Sequence, residues 1–294
     1  MPKTHIRIGT RGSELALWQA NYTKVALENL GNSVEIIIIK TKGDKIQDIG
    51  FDKMEGKGFF TKEIEEALLN NHIDIAVHSH KDLETNMCNG LKIAAVSKRE
   101  DPSELLLIRK EKFDNSLKWN IVDNARIGTS SARRKSLLVS KRPDFKILDL
   151  RGNVPTRIQK LRDGKYDAIV LAKAGVVRLD ISLDDLYVIT LDPREFVPAA
   201  AQGVLAFQIR ESDSDLNDVL CNLNDSIAAE CVAIERNVLN LFNGGCQIPL
   251  GVYCDLNSVY VSYSKNWKYG AEFYRFDYSD KPNLPAQIVD QVRS

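Results

Sequence analysis

The 294-residue chain has no excess of either charge: 40 Lys and Arg stand against 40 Asp and Glu. A basic surplus is what draws a protein onto nucleic acid or anionic lipid, so neither is expected as a partner. No apolar run approaches the length needed to cross a bilayer. The opening "MPKTHIRIGT" lacks the apolar core of a signal peptide. Cysteine is sparse, and Cys88, Cys221, Cys231, Cys246 and Cys254 are odd in number, scattered and without a CxxC pair. That pattern excludes a disulfide framework and a zinc site as expectations, and its simple reading is a reducing cytoplasm. Repeats of solenoid period and low-complexity segments are missing as well. The turns "GTRGSE" and "GTSSAR" have neither the Gly spacing of a dinucleotide fold nor the Lys of a Walker loop, so nucleotide binding is not supported.

What is present is ordinary core material, 44% hydrophobic residues in a length that fits two or three domains. Short β-branched runs alternate with helical patterns. "HIRIG" reads as a strand. The helix "SELALWQANYTKVALENLG" follows, with Ser13 as N-cap, Gly31 as stop, and Leu15, Trp18, Tyr22, Val25 and Leu30 at helical spacing. "VEIIIIK" reads as a buried strand, "TKEIEEALLNN" as a helix starting at Thr61, and "IDIAVHS" as a strand. The rhythm restarts with "ARIGTSSARRKSLLVSKR", "FKILDL", "VPTRIQKLRDG", "YDAIVLA" and "KAGVVRL". Such alternation predicts α/β layers on mostly parallel sheets. Two similar α/β domains are expected, domain 1 over 1–99 and domain 2 over 103–195. The strand in "AAAQGVLAFQIR" returns to the first, so that 199–219 completes domain 1 through a double crossover. A helix over about 226–242, with Ile227, Cys231, Ile234, Val238 and Leu241 as its apolar stripe, opens a third, α+β domain at 224–294. It continues with three alternating segments, read as antiparallel strands, and a closing helix "LPAQIVDQV".

The chemically informative residues fall at strand-to-helix turns: Arg11 in "GTRGS", Arg133 and Arg134 in "GTSSARR", Arg151 and Arg157 in "LRGNVPTR". Ligands of open α/β sheets bind outside the carboxyl ends of strands, where helix N-termini offer N–H groups to anions. Three such turns in equivalent positions favour an anion site over solvated surface arginines, and several guanidinium groups imply a ligand with several carboxylates or phosphates. "DIAVHSHKDLET" adds Asp82, which reads either as a turn residue or as a carboxylate among cations able to stabilise a cationic intermediate or move protons. Its His-x-His pair has no third ligand at evident spacing. "DIGFDKMEGKGFF" reads as a surface loop or as a lid. Cys246, in "LFNGGCQIPLGVY", is an inert thiol, a nucleophile or an attachment point; none of the four histidines lies near it in sequence to serve as a paired base.

In order along the chain, "IGTRGSELALWQA", "TKGD", "GKGFFTKEIEEALL", "DIAVHSHKDL", "REDPSE", "IGTSSARRKSLL", "LRGNVPTRIQKL", "YDAIVLAKAGVVRL", "VPAAAQG" and "GGCQIPLG" resemble the motifs of the porphobilinogen deaminase (hydroxymethylbilane synthase) family over about residues 5–252. The resemblance implies two α/β domains like type II periplasmic binding proteins, with a double crossover and the active site in the cleft between them, plus a small α+β C-terminal domain. It implies a cytoplasmic monomer that joins four porphobilinogens head to tail with loss of ammonia, its product passing to uroporphyrinogen-III synthase. It implies a dipyrromethane cofactor in thioether linkage to Cys246 and Asp82 as the catalytic acid. Ser79, Lys81, Thr129, Ser131, Arg133 and Arg134 match the family's cofactor-binding positions. Arg11, Arg151, Arg157, Arg178 and Gln202 match substrate-binding positions, and Lys57 and Phe60 lie in the segment of the active-site loop. The sequence departs from the family's usual residues at His80, Glu84, Ala201 and Gln208. The reading set against this is a non-catalytic clamshell that binds a small polycarboxylate.

Overall fold

A computed structural model describes residues 5–41, 61–243, 248–278 and 283–294. The chain divides into two compact units, Met1–Glu100 with Gly203–Glu230, and Asp101–Gln202 with Cys231–Ser294.

In the first unit, β1 (His5–Thr10) runs into α1 (Glu14–Asn29), β2 (Ser33–Ile38), α2 (Lys62–Leu69), β3 (Ile75–Ser79) and β4 (Leu91–Val96). The sheet order is β2-β1-β3-β10-β4. Here β10 (Leu205–Arg210) is the returning strand, antiparallel to both β3 and β4, so Leu205 lies opposite Ser79 and Ala206 opposite Val96. The second unit repeats the order as β7-β6-β8-β5-β9. Its strands are β5 (Glu104–Arg109), β6 (Arg126–Gly128), β7 (Lys146–Leu148), β8 (Ala168–Ala172) and β9 (Leu186–Leu191). The helices α3 (Ala132–Lys141), α4 (Val154–Arg162) and α5 (Lys173–Arg178) follow β6, β7 and β8 respectively. One reversed strand in each sheet of five, β10 or β5, is the mark of the type II binding-protein topology with its double crossover.

The two sheets are built with the same local devices. At the amino end of β1, the Arg7 side chain donates from Nε and Nη2 to Asp74, whose carboxylate also accepts the Arg7 backbone N–H. At the amino end of β6, Arg126 repeats all three bonds with Asp167. Gly9 and Gly128 each end the β-branched run before the turn. An added Cβ would meet the Ile73 side chain at 2.2 Å in one and the Tyr166 ring at 2.8 Å in the other, so any larger residue would force that neighbour to shift.

Two sequence expectations are corrected in the first unit. The buried face of α1 is Gln19, Ala20, Thr23 and Leu27, whereas Tyr22, Val25 and Leu30 are 45%, 56% and 45% exposed. The polar members of that face are satisfied internally: Gln19 donates to Ser79 Oγ at 2.7 Å, and the Thr23 hydroxyl to the Gln19 carbonyl at 2.9 Å. Trp18 and Tyr22 instead stack on each other along the helix. The run "VEIIIIK" forms an edge strand rather than a buried one, and Ile38 is 55% exposed. The Ser13 cap prediction holds, its hydroxyl accepting from the Ala16 N–H, and in the second unit Ser131 accepts from the Arg134 N–H in the same way.

After β10 come α6 (Ser214–Cys221) and α7 (Ser226–Leu241). The C-terminal domain has the antiparallel sheet β11 (Leu250–Cys254), β12 (Ser258–Tyr263) and β13 (Glu272–Asp277), closed by α8 (Leu284–Arg293). Its core gathers Cys231, Ile234 and Val238 of α7 with Val252, Val259, Val261, Ile288 and Val292. Ile227 and Leu241, at the two ends of the expected α7 stripe, are 61% and 46% exposed instead.

Candidate active site

In the first unit the carboxyl ends of the adjacent strands β1 and β3 bring four predicted residues to one edge of the sheet. Arg11 follows β1 directly and is half-buried. Ser79 ends β3 and accepts the Gln19 amide. A single 3-10 turn, His80–Asp82, then carries Lys81 half-buried and Asp82 exposed. That turn is pinned by the His80 N–H to the Val204 carbonyl at 2.9 Å and by the Leu83 N–H to the His80 carbonyl at 3.3 Å. Among the described residues the Asp82 carboxylate makes no hydrogen bond or ion pair, which leaves both oxygens to solvent or ligand.

Beneath this edge, His78 is buried with Nε2 3.0 Å from Gln208 Oε1, and the Gln208 amide donates in turn to Glu65 Oε1 at 3.1 Å. An amide oxygen only accepts, so the imidazole proton sits on Nε2. Burial pushes the His78 pKa down to about 4, only partly offset by the Gln208 bond, and the ring is neutral near pH 7. His80 is buried too. No group of three or more His, Cys, Asp and Glu able to hold a metal ion occurs among the described residues.

In the second unit the parallel strands β7, β6 and β8 deliver the remaining set. After β6, Thr129 is 2% exposed and its hydroxyl accepts the Ser131 N–H, while Ser131 caps α3. Arg133 and Arg134 occupy the first turn of α3. The sequence alone leaves them open to ligand at the turn; the structure instead buries both and joins them to one carboxylate, Glu104 at the start of β5. Arg133 Nη2 donates to Glu104 Oε1 at 2.6 Å, and Arg134 donates from Nε at 3.0 Å to the same oxygen and from Nη2 at 2.8 Å to Oε2. Each guanidinium also holds a carbonyl, Arg133 that of Val197 at 2.9 Å and Arg134 that of Val170 at 3.1 Å.

After β7, Arg151 and Arg157 are half-buried, and Arg157 Nε donates to the Gly152 carbonyl at 2.7 Å. Arg178, on α5 after β8, is 8% exposed, so it is an interior residue rather than a strand-end one. Gln202 is fully buried and donates to the Pro102 carbonyl at 2.8 Å. Ala201 holds φ at 62°, the left-handed region that glycine adopts without strain. Its N–H is met by the buried Glu235 carboxylate at 2.7 Å. Cys246, Lys57 and Phe60 lie outside the described residues.

Sequence reasoning missed Glu104, Gln19 and Glu235. Glu104 had a signal: in "SELLLI" an acid opens a strand of unbroken apolar residues, and a carboxylate entering such a strand must find cations inside.

The family model for the porphobilinogen deaminase dipyromethane cofactor binding domain matches residues 6–218, and that for the porphobilinogen deaminase C-terminal domain matches residues 229–262. The chain belongs to the porphobilinogen deaminase family. Curated porphobilinogen deaminases include one from a Nitratiruptor species, 45% identical over 251 residues that make 85% of this chain and 79% of the relative. Another, from Maridesulfovibrio salexigens, is 46% identical over 255 residues, 86% of this chain and 81% of the relative. Among solved structures, the Bordetella pertussis BvgS periplasmic VFT2 domain is similar at 14% identity over 74% of this chain and 85% of that one, with a TM-score of 0.44.

Porphobilinogen deaminases are transferases of porphyrin and tetrapyrrole biosynthesis that use a dipyrromethane cofactor, and the domain that binds it, by its description, spans both α/β units of this chain. The donors present suit that group, which is a chain of carboxylate-bearing pyrroles. In each unit separately, cationic and hydroxyl side chains stand at strand ends, and guanidinium forks match carboxylates bidentately.

Proposed function

We propose that this chain condenses four porphobilinogen molecules head to tail, releasing ammonia at each step, to give the linear tetrapyrrole hydroxymethylbilane. The observation that carries the reading is the coincidence of two things. Family models cover both α/β units and residues 229–262 of the C-terminal domain, and the strand ends of each unit present cations and hydroxyls suited to acetate and propionate.

In this reading the dipyrromethane, held by Cys246 through a thioether, supplies the nucleophilic pyrrole carbon from which the product grows. The protein's own residues bind, orient and move protons. Thr129, Ser131, Arg133, Arg134, Ser79 and Lys81 hold the carboxylates of the cofactor. Arg11, Arg151 and Arg157 bind those of the incoming ring, and Arg178 and Gln202 support that binding from within the second unit. Asp82 faces the positive charge that develops on porphobilinogen as ammonia departs, and afterwards accepts the proton lost at the carbon–carbon bond. A fixed carboxylate opposite a developing cation is the kind of preorganised electrostatics that lowers such barriers most. Lys57 and Phe60 serve as active-site residues, on their match to the family's active-site segment. The three domains follow the boundaries read from the sequence, 1–99 with 199–219, 103–195, and 224–294. The enzyme acts as a cytoplasmic monomer whose product passes to uroporphyrinogen-III synthase.

Intact-mass measurement of protein made in cells tests the reading. The expected mass is that of the chain plus two pyrrole units, and Cys246→Ser is expected at the bare chain mass and inactive. A wild-type protein of bare mass that still makes hydroxymethylbilane would refute the attachment.

A further inference from the structure

Glu104 is fully buried, and the two guanidinium groups it binds are 5% and 7% exposed as residues. Three charges withdrawn from water call for an explanation other than stability. Buried ionic groups are commonly matched or bettered in stability by apolar residues of the same volume. Nor is the arrangement loose. Glu104 sits on the strand between β8 and β9, opposite Ala172 on one side and Leu191 on the other, so its backbone is fixed from both flanks. Its two oxygens take three N–H bonds from two consecutive residues of one helical turn. The far side of each guanidinium is tied to a different carbonyl, Val170 on β8 and Val197 beyond β9. Neither plane can rotate without breaking a charged hydrogen bond. Two arginines side by side in a dry setting also repel each other, and a shared carboxylate is what lets them stay adjacent.

We propose that Glu104 is a positioning residue of the reaction: it fixes the planes of Arg133 and Arg134 at the amino end of α3, so that the two guanidinium groups are held in one orientation before the carboxylates of the pyrrole chain bind. This rests on the deaminase reading above and goes beyond it in assigning a role to a residue that touches neither cofactor nor substrate. Preorganised forks lose less freedom on binding than mobile ones, so the expected effect of Glu104 is on ligand retention rather than on the chemical step.

The test compares Glu104→Gln and Glu104→Asp with wild type by intact mass, steady-state kinetics and thermal unfolding. Glu104→Gln keeps the shape and loses the charge. It is expected to lose much of the population carrying two pyrrole units, and in the loaded fraction to raise KM by about ten- to a hundredfold with kcat little changed, the scale of one charged hydrogen bond. Glu104→Asp keeps the charge and shifts it by one methylene. It is expected to recover cofactor loading and to show a KM between those of wild type and the Gln variant. A Gln variant with wild-type loading and KM but a lowered melting temperature would overturn the proposal, because Glu104 would then be a purely structural acid. If the Gln variant does not fold, the Asp variant decides: a raised KM at wild-type kcat supports positioning, and a wild-type KM overturns it. A wild-type protein that fails to condense porphobilinogen would overturn the deaminase reading itself, which keeps the two failures distinguishable.

Discussion

Asp82 and Glu104 are carboxylates in opposite surroundings, and the contrast assigns their work. Asp82 stands exposed on a one-turn helix with no partner among the described residues, so its oxygens are available to a ligand. Glu104 spends both oxygens on guanidinium groups and is available to none. Replacing Asp82 by Asn keeps the shape and removes both the charge and the proton acceptor. The expected result is unchanged folding and cofactor mass, with bilane formation slowed by about 10²–10⁴-fold, the usual contribution of a positioned acid or base. Turnover near wild type would return Asp82 to a turn residue. His78 makes a second prediction at this scale. Its pKa is lowered from 6.5 to about 4 by burial. Between those two values the unfolded chain holds a proton at this ring and the folded protein does not. This site therefore removes stability as pH falls from about 6.5 toward 4, by at most roughly 3 kcal/mol. Urea unfolding at the two ends of that window should show a smaller acid-side loss in His78→Gln than in wild type. Equal losses would mean that the ring is not held neutral.

At the scale of elements, α1 separates what the sequence makes legible from what it does not. Its start, its stop and its existence are local matters, set by Ser13, Gly31 and helical spacing, and they are readable. Its buried face is not, because the apolar count points to Tyr22, Val25 and Leu30 while the sheet covers Gln19, Ala20, Thr23 and Leu27. Gln19 is interior only because Ser79, 60 positions along the chain, supplies an acceptor. The burial of Arg133 and Arg134 escapes the sequence for the same reason, since Glu104 lies 29 and 30 positions before them. Polar burial depends on partners brought by the tertiary fold, and a local pattern such as the acid opening β5 can call for partners without saying which residues they are. The corrected face predicts a reversal of intuition. Val25→Lys should change stability by less than about 0.5 kcal/mol, as an ordinary surface change. Ala20→Leu, apolar for apolar, should cost about 1–3 kcal/mol by overpacking against the sheet. Chemical denaturation of the two variants checks this, and a larger loss for Val25→Lys would restore the original stripe.

For the whole molecule, the decisive event is the return of the chain to its first unit, which is legible in the sequence: an apolar strand follows "AAAQG" at the end of the second rhythm. The return needs the backbone to pass very close to the outgoing segment. The Glu100 N–H donates directly to the Gly203 carbonyl at 3.1 Å. Gly203 has φ 89°, and a Cβ there would lie 2.3 Å from the Glu100 carbonyl oxygen. Gly31, with φ 84° and open space around its missing Cβ, provides the comparison within the same unit. Gly31→Ala carries the cost of a left-handed backbone alone, about 1 kcal/mol. Gly203→Ala carries that cost and a backbone clash that cannot be relieved by moving a side chain. It should therefore lower the melting temperature well beyond the Gly31 variant and weaken the seating of β10 between β3 and β4, the pair that places Ser79 and the turn bearing Asp82. Hydrogen exchange of the β10 amides distinguishes a local effect from a general one: faster exchange there in Gly203→Ala, with β6 and β8 unchanged, locates the damage at the crossover. Equal melting temperatures for the two variants would show that the close passage does not constrain the fold.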